Sequence, residues 1–141
     1  YAPLPLKFEA GTPNFIAGAT FTPALEFAKE ILAPEYEELE GEKVRFLSEN
    51  LKQIEGLTIY GDSAQKIPLF SFSIEGAHHS DVALLLDKMG VAVRSGFMCA
   101  EPLMARFGQS GMLRASLAPY NTLEECEYFI GALNKVVSML R

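Results

Sequence analysis

Residues 67–74 read IPLFSFSI, with Phe70 and Phe72 alternating with Ser71 and Ser73. A period of two with large aromatics at every second position describes a strand buried on one face only. Pro68 lacks the N–H that a ladder needs and is confined to the strand start. A strand with one apolar face calls for helices packed against that face, and the flanking segments supply them. Val44, Leu47, Leu51 and Ile54 stripe a helix over about Pro34 to Glu55, after a break at Ala33-Pro34, with Gly56 as its stop. Five acids, Glu35, Glu37, Glu38, Glu40 and Glu42, fill the first turns of that helix and read as a solvated face that complements the helix dipole.

The remaining segments follow the same logic. Asn14–Leu32 is a helical pattern with a possible restart at Thr22-Pro23. Leu57–Tyr60 is a strand. Ser80 caps a helix whose Val82, Leu85, Leu86 and Met89 lie at helical spacing before Gly90. Val91–Arg94 is a short strand, Pro102–Phe107 a short helix and Met112–Ala118 another strand. Thr122 and Glu125 form a capping box that opens a last helix to about Leu140. The order α-α-β-β-α-β-α-β-α predicts an α+β, two-layer sandwich, a small, mostly antiparallel sheet with helices on one face. Residues 1–13, with three prolines, read as an extended lead-in from a missing large domain. Residues 14–141 read as a single small domain.

At 141 residues and 49% hydrophobic content the chain can bury a core without staples. Its net charge of −6 argues against nucleic acid and against anionic lipid as partners, and no apolar run is long enough to span a membrane. Two cysteines do not make a disulfide scaffold, which points to a cytoplasmic setting.

The chemistry concentrates between Val93 and Ser116. Cys99 lies in a loop just before a helix N-terminus, where the partial positive charge favours a thiolate, and Glu101 opposes that effect. Arg114 sits inside the strand MLRASLA, an unusual place for a charge unless its guanidinium meets an anion. With Arg94 it suggests a site that grips a carboxylate while sulfur chemistry proceeds. On the residues alone two readings stay open: Cys99 is an inert loop cysteine, and Arg114 pairs with a surface acid. Cys126 shares a stripe with Leu123, Ile130, Leu133 and Val137 and reads as a small core residue. His78 and His79 have no third ligand near them in sequence, so they read as loop residues and no metal is expected.

The strings Glu9-Ala10-Gly11-Thr12-Pro13-Asn14, Val91–Gly96 leading to Cys99-Ala100, Arg114-Ala115-Ser116-Leu117-Ala118 and Tyr120-Asn121-Thr122 resemble a cysteine desulfurase. The resemblance is to the SufS/NifS-like enzymes and the related selenocysteine lyases, pyridoxal 5′-phosphate enzymes of the class V aminotransferase fold. It runs from about Lys7 to Leu140 and implies the C-terminal small domain of a homodimeric enzyme. It implies that Cys99 is the nucleophile that takes sulfur from L-cysteine as a persulfide, releasing alanine, for iron-sulfur cluster or other sulfur biosynthesis. Arg114 and Arg94 would hold the substrate carboxylate, and Thr12 would reach the cofactor phosphate. A short cysteine loop implies a separate sulfur acceptor protein.

In the family the cofactor-anchoring lysine follows a histidine upstream of the EAGTP string. None of the lysines here follows a histidine, so that lysine is absent from these residues and they alone are expected to be inactive. Where the family often has two histidines before the cysteine, this chain has Phe97 and Met98, which cannot move protons. That departure keeps a non-catalytic interaction module of the same fold as an alternative, beside selenocysteine lyase.

Overall fold

Helix α1 (Phe15–Ile31) starts where Asn14 Oδ1 accepts a hydrogen bond from Ala17 N at 3.1 Å, which satisfies one of the orphan donors of the first turn. The helix runs through Pro23 without the restart expected at Thr22-Pro23, leaving the Ala19 carbonyl without its usual donor. Before it, a 3₁₀ turn at Leu6–Phe8 interrupts the expected extended lead-in. This computed structural model describes residues 1–32, 34–63 and 65–141; Ala33 of the expected Ala33-Pro34 break lies outside them, as does the side chain of Glu35. The chain divides into two units, Tyr1–Glu37 and Glu38–Arg141. In the first, neither the 3₁₀ turn nor α1 buries a residue, and Phe15, Ile16, Phe21 and Phe27 are exposed.

The elements that follow are α2 (Pro34–Leu51), β1 (Leu57–Tyr60), β2 (Leu69–Ile74), α3 (His79–Lys88), β3 (Arg94–Gly96), α4 (Glu101–Arg106), β4 (Met112–Ser116) and α5 (Leu123–Leu140). The strands form an antiparallel sheet in the order β1-β2-β4-β3, as the α+β reading predicts. Phe70, Phe72 and Ile74 point to the buried face, with Leu113 and Ala115 of β4 beside them. Against that face pack Leu47 and Leu51 of α2, Val82 and Leu86 of α3, and Cys126, Leu133, Val136 and Val137 of α5. Cys126 is thus the core residue its stripe indicates, and burial pushes its thiol pKa up.

Several boundaries shift for physical reasons. Helix α2 ends at Leu51 rather than Glu55, because Gln53 N and Ile54 N turn back onto Asn50 O and Leu51 O in tight i→i+3 bonds. Gly56, at φ +73°, then reverses the chain into β1. The cap of α3 is His78, whose Nδ1 accepts from Ser80 N at 3.3 Å, not Ser80 itself. The strand expected at Val91–Arg94 is displaced to Arg94–Gly96. The capping box of α5 forms as expected: Glu125 N donates to Thr122 Oγ1 at 3.3 Å and Thr122 N to Glu125 Oε2 at 3.0 Å. Among the described residues no helix is long and apolar enough to cross a membrane.

One polar tie holds the turn between β4 and α5. Lys43 of α2, 5% exposed, donates to Asn121 O at 2.8 Å and to Pro119 O at 3.3 Å. Asn121 continues the network by accepting from Ala118 N and donating to Glu125 Oε2. A buried ammonium is tolerable here because carbonyl oxygens replace the water it has lost.

Candidate functional site

The ladder places the two arginines. Arg94 stands directly opposite Arg114 across β3 and β4, and Arg114 stands opposite Ser71 on β2. Directly opposed residues of an antiparallel pair share a face, so Arg94, Arg114 and Ser71 line the side of the sheet away from the core. Two like charges in register repel unless an anion sits between them or water screens them. Arg94 is exposed, whereas Arg114 is half-buried and its Nε is buried without a hydrogen-bond partner among the described residues. A buried, unmatched guanidinium donor is costly, and a carboxylate has the chemistry to satisfy it.

Cys99 follows β3 on the loop to α4 and is exposed. It shares a cavity of about 570 Å3 with Arg94, Phe97, Met98 and Glu101. The turn around it is closed by Ala100 N donating to Phe97 O at 2.9 Å. Its two central residues, Met98 and Cys99, have φ of +55° and +58°. The structure therefore joins Cys99 to Arg94 in one cavity, and Arg94 to Arg114 in one register row. Thr12 lies in the first unit, exposed, in a bend ahead of α1.

The reverse face carries residues that sequence patterns do not single out. Met112 of β4 and Met104 of α4 are buried outside the main core. The ring of Phe107, which caps α4, meets that of Tyr60 at 5.0 Å and 49°. Tyr60 shares a hydrogen bond of 3.1 Å with Ser73 Oγ. His79 is held by its neighbours: its ring stacks on His78 at 4.2 Å, and a Cβ added at Gly111 would clash with its Nε2. That contact leaves only glycine at 111, and nothing in the sequence around position 79 announces it.

As chemistry, the arrangement offers an exposed thiol in a cavity that Arg94 also lines and, in register with Arg94, a second arginine with a buried, unmatched Nε. It suits a substrate that bears a carboxylate and an electrophilic sulfur. Among the residues lining the Cys99 cavity, Glu101 is the one carboxylate and there is no imidazole.

The family model Aminotransferase class-V matches residues 1–129. A probable cysteine desulfurase of Xylella fastidiosa is 46% identical over 136 residues, covering 96% of this chain and 33% of the relative. The apo structure of a cysteine desulfurase from Thermococcus onnurineus superposes with a TM-score of 0.85 at 35% identity, covering 96% of this chain and 34% of that one. The Escherichia coli cysteine desulfurase CsdA gives a TM-score of 0.83 at 33% identity, covering 97% and 34%. The chain thus spans about a third of the length of the relatives it matches.

Proposed function

The chain belongs to the class-V aminotransferase family, and from that premise we propose that it acts as the small domain of a cysteine desulfurase. The observation that carries this reading is the row of Arg94 and Arg114 on the reverse face, with Cys99 in the cavity that Arg94 lines. The two guanidinium groups hold the carboxylate of L-cysteine, Arg114 through the Nε that has no partner among the described residues. Cys99, as thiolate, attacks the substrate sulfur. An S–S bond forms, and the substrate C–S bond breaks with its electron pair left on carbon. That carbon takes up a proton to give alanine, so carbon is reduced as the transferred sulfur is oxidised. The persulfide on exposed Cys99 then passes to an acceptor protein.

The cofactor of this family is pyridoxal 5′-phosphate, which when bound withdraws electrons from the substrate and makes the C–S bond cleavable. The donors present suit it on the substrate side, where the free Nε of Arg114 awaits a carboxylate, and Thr12 supplies an exposed hydroxyl for the phosphate. No lysine of this chain follows a histidine, so the anchoring lysine would come from a large domain. In this reading residues 1–13 lead in from that domain, and residues 14–141 are the small domain. The exposed Phe15, Ile16, Phe21 and Phe27 of α1 are apolar surface of the kind such a neighbour covers. The homodimer, the cytoplasmic setting and a role in iron-sulfur cluster assembly belong to the same proposal.

The test is the full-length holoenzyme with L-cysteine, assayed for alanine and sulfide. Alanine release that disappears in Cys99→Ala is the expected result. No product, with Cys99→Ala indistinguishable from the parent, removes the assignment. Phe97 and Met98 in the Cys99 cavity favour a second reading, a non-catalytic interaction module. Under that reading Cys99 reacts with a thiol reagent no faster than an unfolded peptide thiol. Comparing selenocysteine with cysteine as substrate separates desulfurase from selenocysteine lyase.

A further inference from the structure

Positive φ at both central positions of a hydrogen-bonded turn is the type I′ pattern, which Gly, Asn and Asp adopt far more readily than Met or Cys. Met98 and Cys99 hold it at +55° and +58°. Such backbone persists only where its surroundings over-determine it. On one side the turn is fixed by β3, whose Gly96 pairs with Met112. On the other side α4 begins two residues after Cys99 and is held by buried Met104 and, at its far end, by Phe107 against Tyr60. Tyr60 is itself fixed by its hydrogen bond to Ser73. A helix of six residues is only about 9 Å long, so a tilt at its C-terminal end is felt at the cysteine turn.

We infer that Tyr60 and Phe107 are positioning residues for Cys99: their ring contact fixes α4, which keeps the Met98-Cys99 turn left-handed and its thiol exposed beside Arg94. The effect on turnover rests on the desulfurase reading; the effect on the turn does not. Amide hydrogen exchange of the full chain reads the turn through Ala100 N–H, the donor to Phe97 O. In Tyr60→Ala and in Phe107→Ala the protection of Ala100 falls about tenfold, the scale of one left-handed residue, while the α5 amides keep theirs. The double variant loses no more than either single one, because the two rings make one contact. Adding Met98→Gly restores most of the protection, since glycine takes positive φ without strain. The milder Phe107→Leu gives the same direction if an alanine variant does not fold.

In the holoenzyme the same alanine variants lower kcat about tenfold with KM for cysteine unchanged, because both arginines are intact. Unchanged Ala100 protection, additive losses in the double variant, or no rescue by Met98→Gly overturns the inference. Protection that falls as described while the parent holoenzyme releases no alanine sustains the positioning role and refutes the desulfurase reading instead.

Discussion

Replacing Arg114 by methionine separates binding from folding. The Nε of Arg114 is buried and has no partner among the described residues, so the substitution breaks no hydrogen bond at that atom. It also removes a like charge directly opposite Arg94. Losing an unmatched buried donor and a repulsive pair leaves the fold as stable as before, or more so. Substrate binding behaves in the opposite way. A charge-assisted, two-pronged contact to a carboxylate contributes about 3 kcal/mol, which corresponds to a loss of roughly 150-fold in kcat/KM. The measurement is steady-state alanine release by the full-length holoenzyme across a cysteine series, with thermal unfolding of the same samples. A large rise in KM with an unchanged or raised Tm is expected. An unchanged kcat/KM would refute the carboxylate role. A large drop in Tm would show that Arg114 serves the fold through a partner the geometry does not reveal.

Three further outcomes follow from the packing. Lys43→Met leaves the part-buried Pro119 and Asn121 carbonyls without their donor and costs about 1 kcal/mol, read as a lower urea midpoint with unchanged m. Thr122→Ala removes the cap of α5 and costs about 1 kcal/mol, again read from the urea midpoint. The Glu125 carboxyl is held below its ordinary value of 4.5, first by the Asn121 side chain and then by the Thr122 backbone N–H. A depressed folded pKa contributes stability that is present above the unfolded value and is lost as pH falls through the folded one. Urea midpoints measured downward from neutral pH therefore fall below about pH 4.5, and Glu125→Gln makes that decline shallower.

What could be read from the sequence was local. The α5 cap needs Thr122 and Glu125 three residues apart, and the core stripes need only helical or alternating spacing, so both emerge from short windows. The strand of Arg94 was displaced because its ladder is set by β4, and that register is not written in the residues around Val91. His78 replaces Ser80 as a cap because an imidazole nitrogen can accept as a hydroxyl does, a choice made by backbone geometry. The burial of Lys43 follows from carbonyl partners that arrive from a turn more than seventy residues away, which no local window shows. The contact of Tyr60 with Phe107 crosses from an edge strand to the end of α4, and no periodicity signals it. Cys99 and the arginines stood out for their residue types. The pairing of the two arginines in one register row required the sheet.

The central claim is that Cys99 receives a sulfur atom. Mass spectrometry of the holoenzyme after one turnover with L-cysteine, without an acceptor, tests it directly. The peptide bearing Cys99 gains one sulfur, and the peptide bearing buried Cys126 gains none. Alanine released in full with no added sulfur on Cys99, or released equally by Cys99→Ala, contradicts the account.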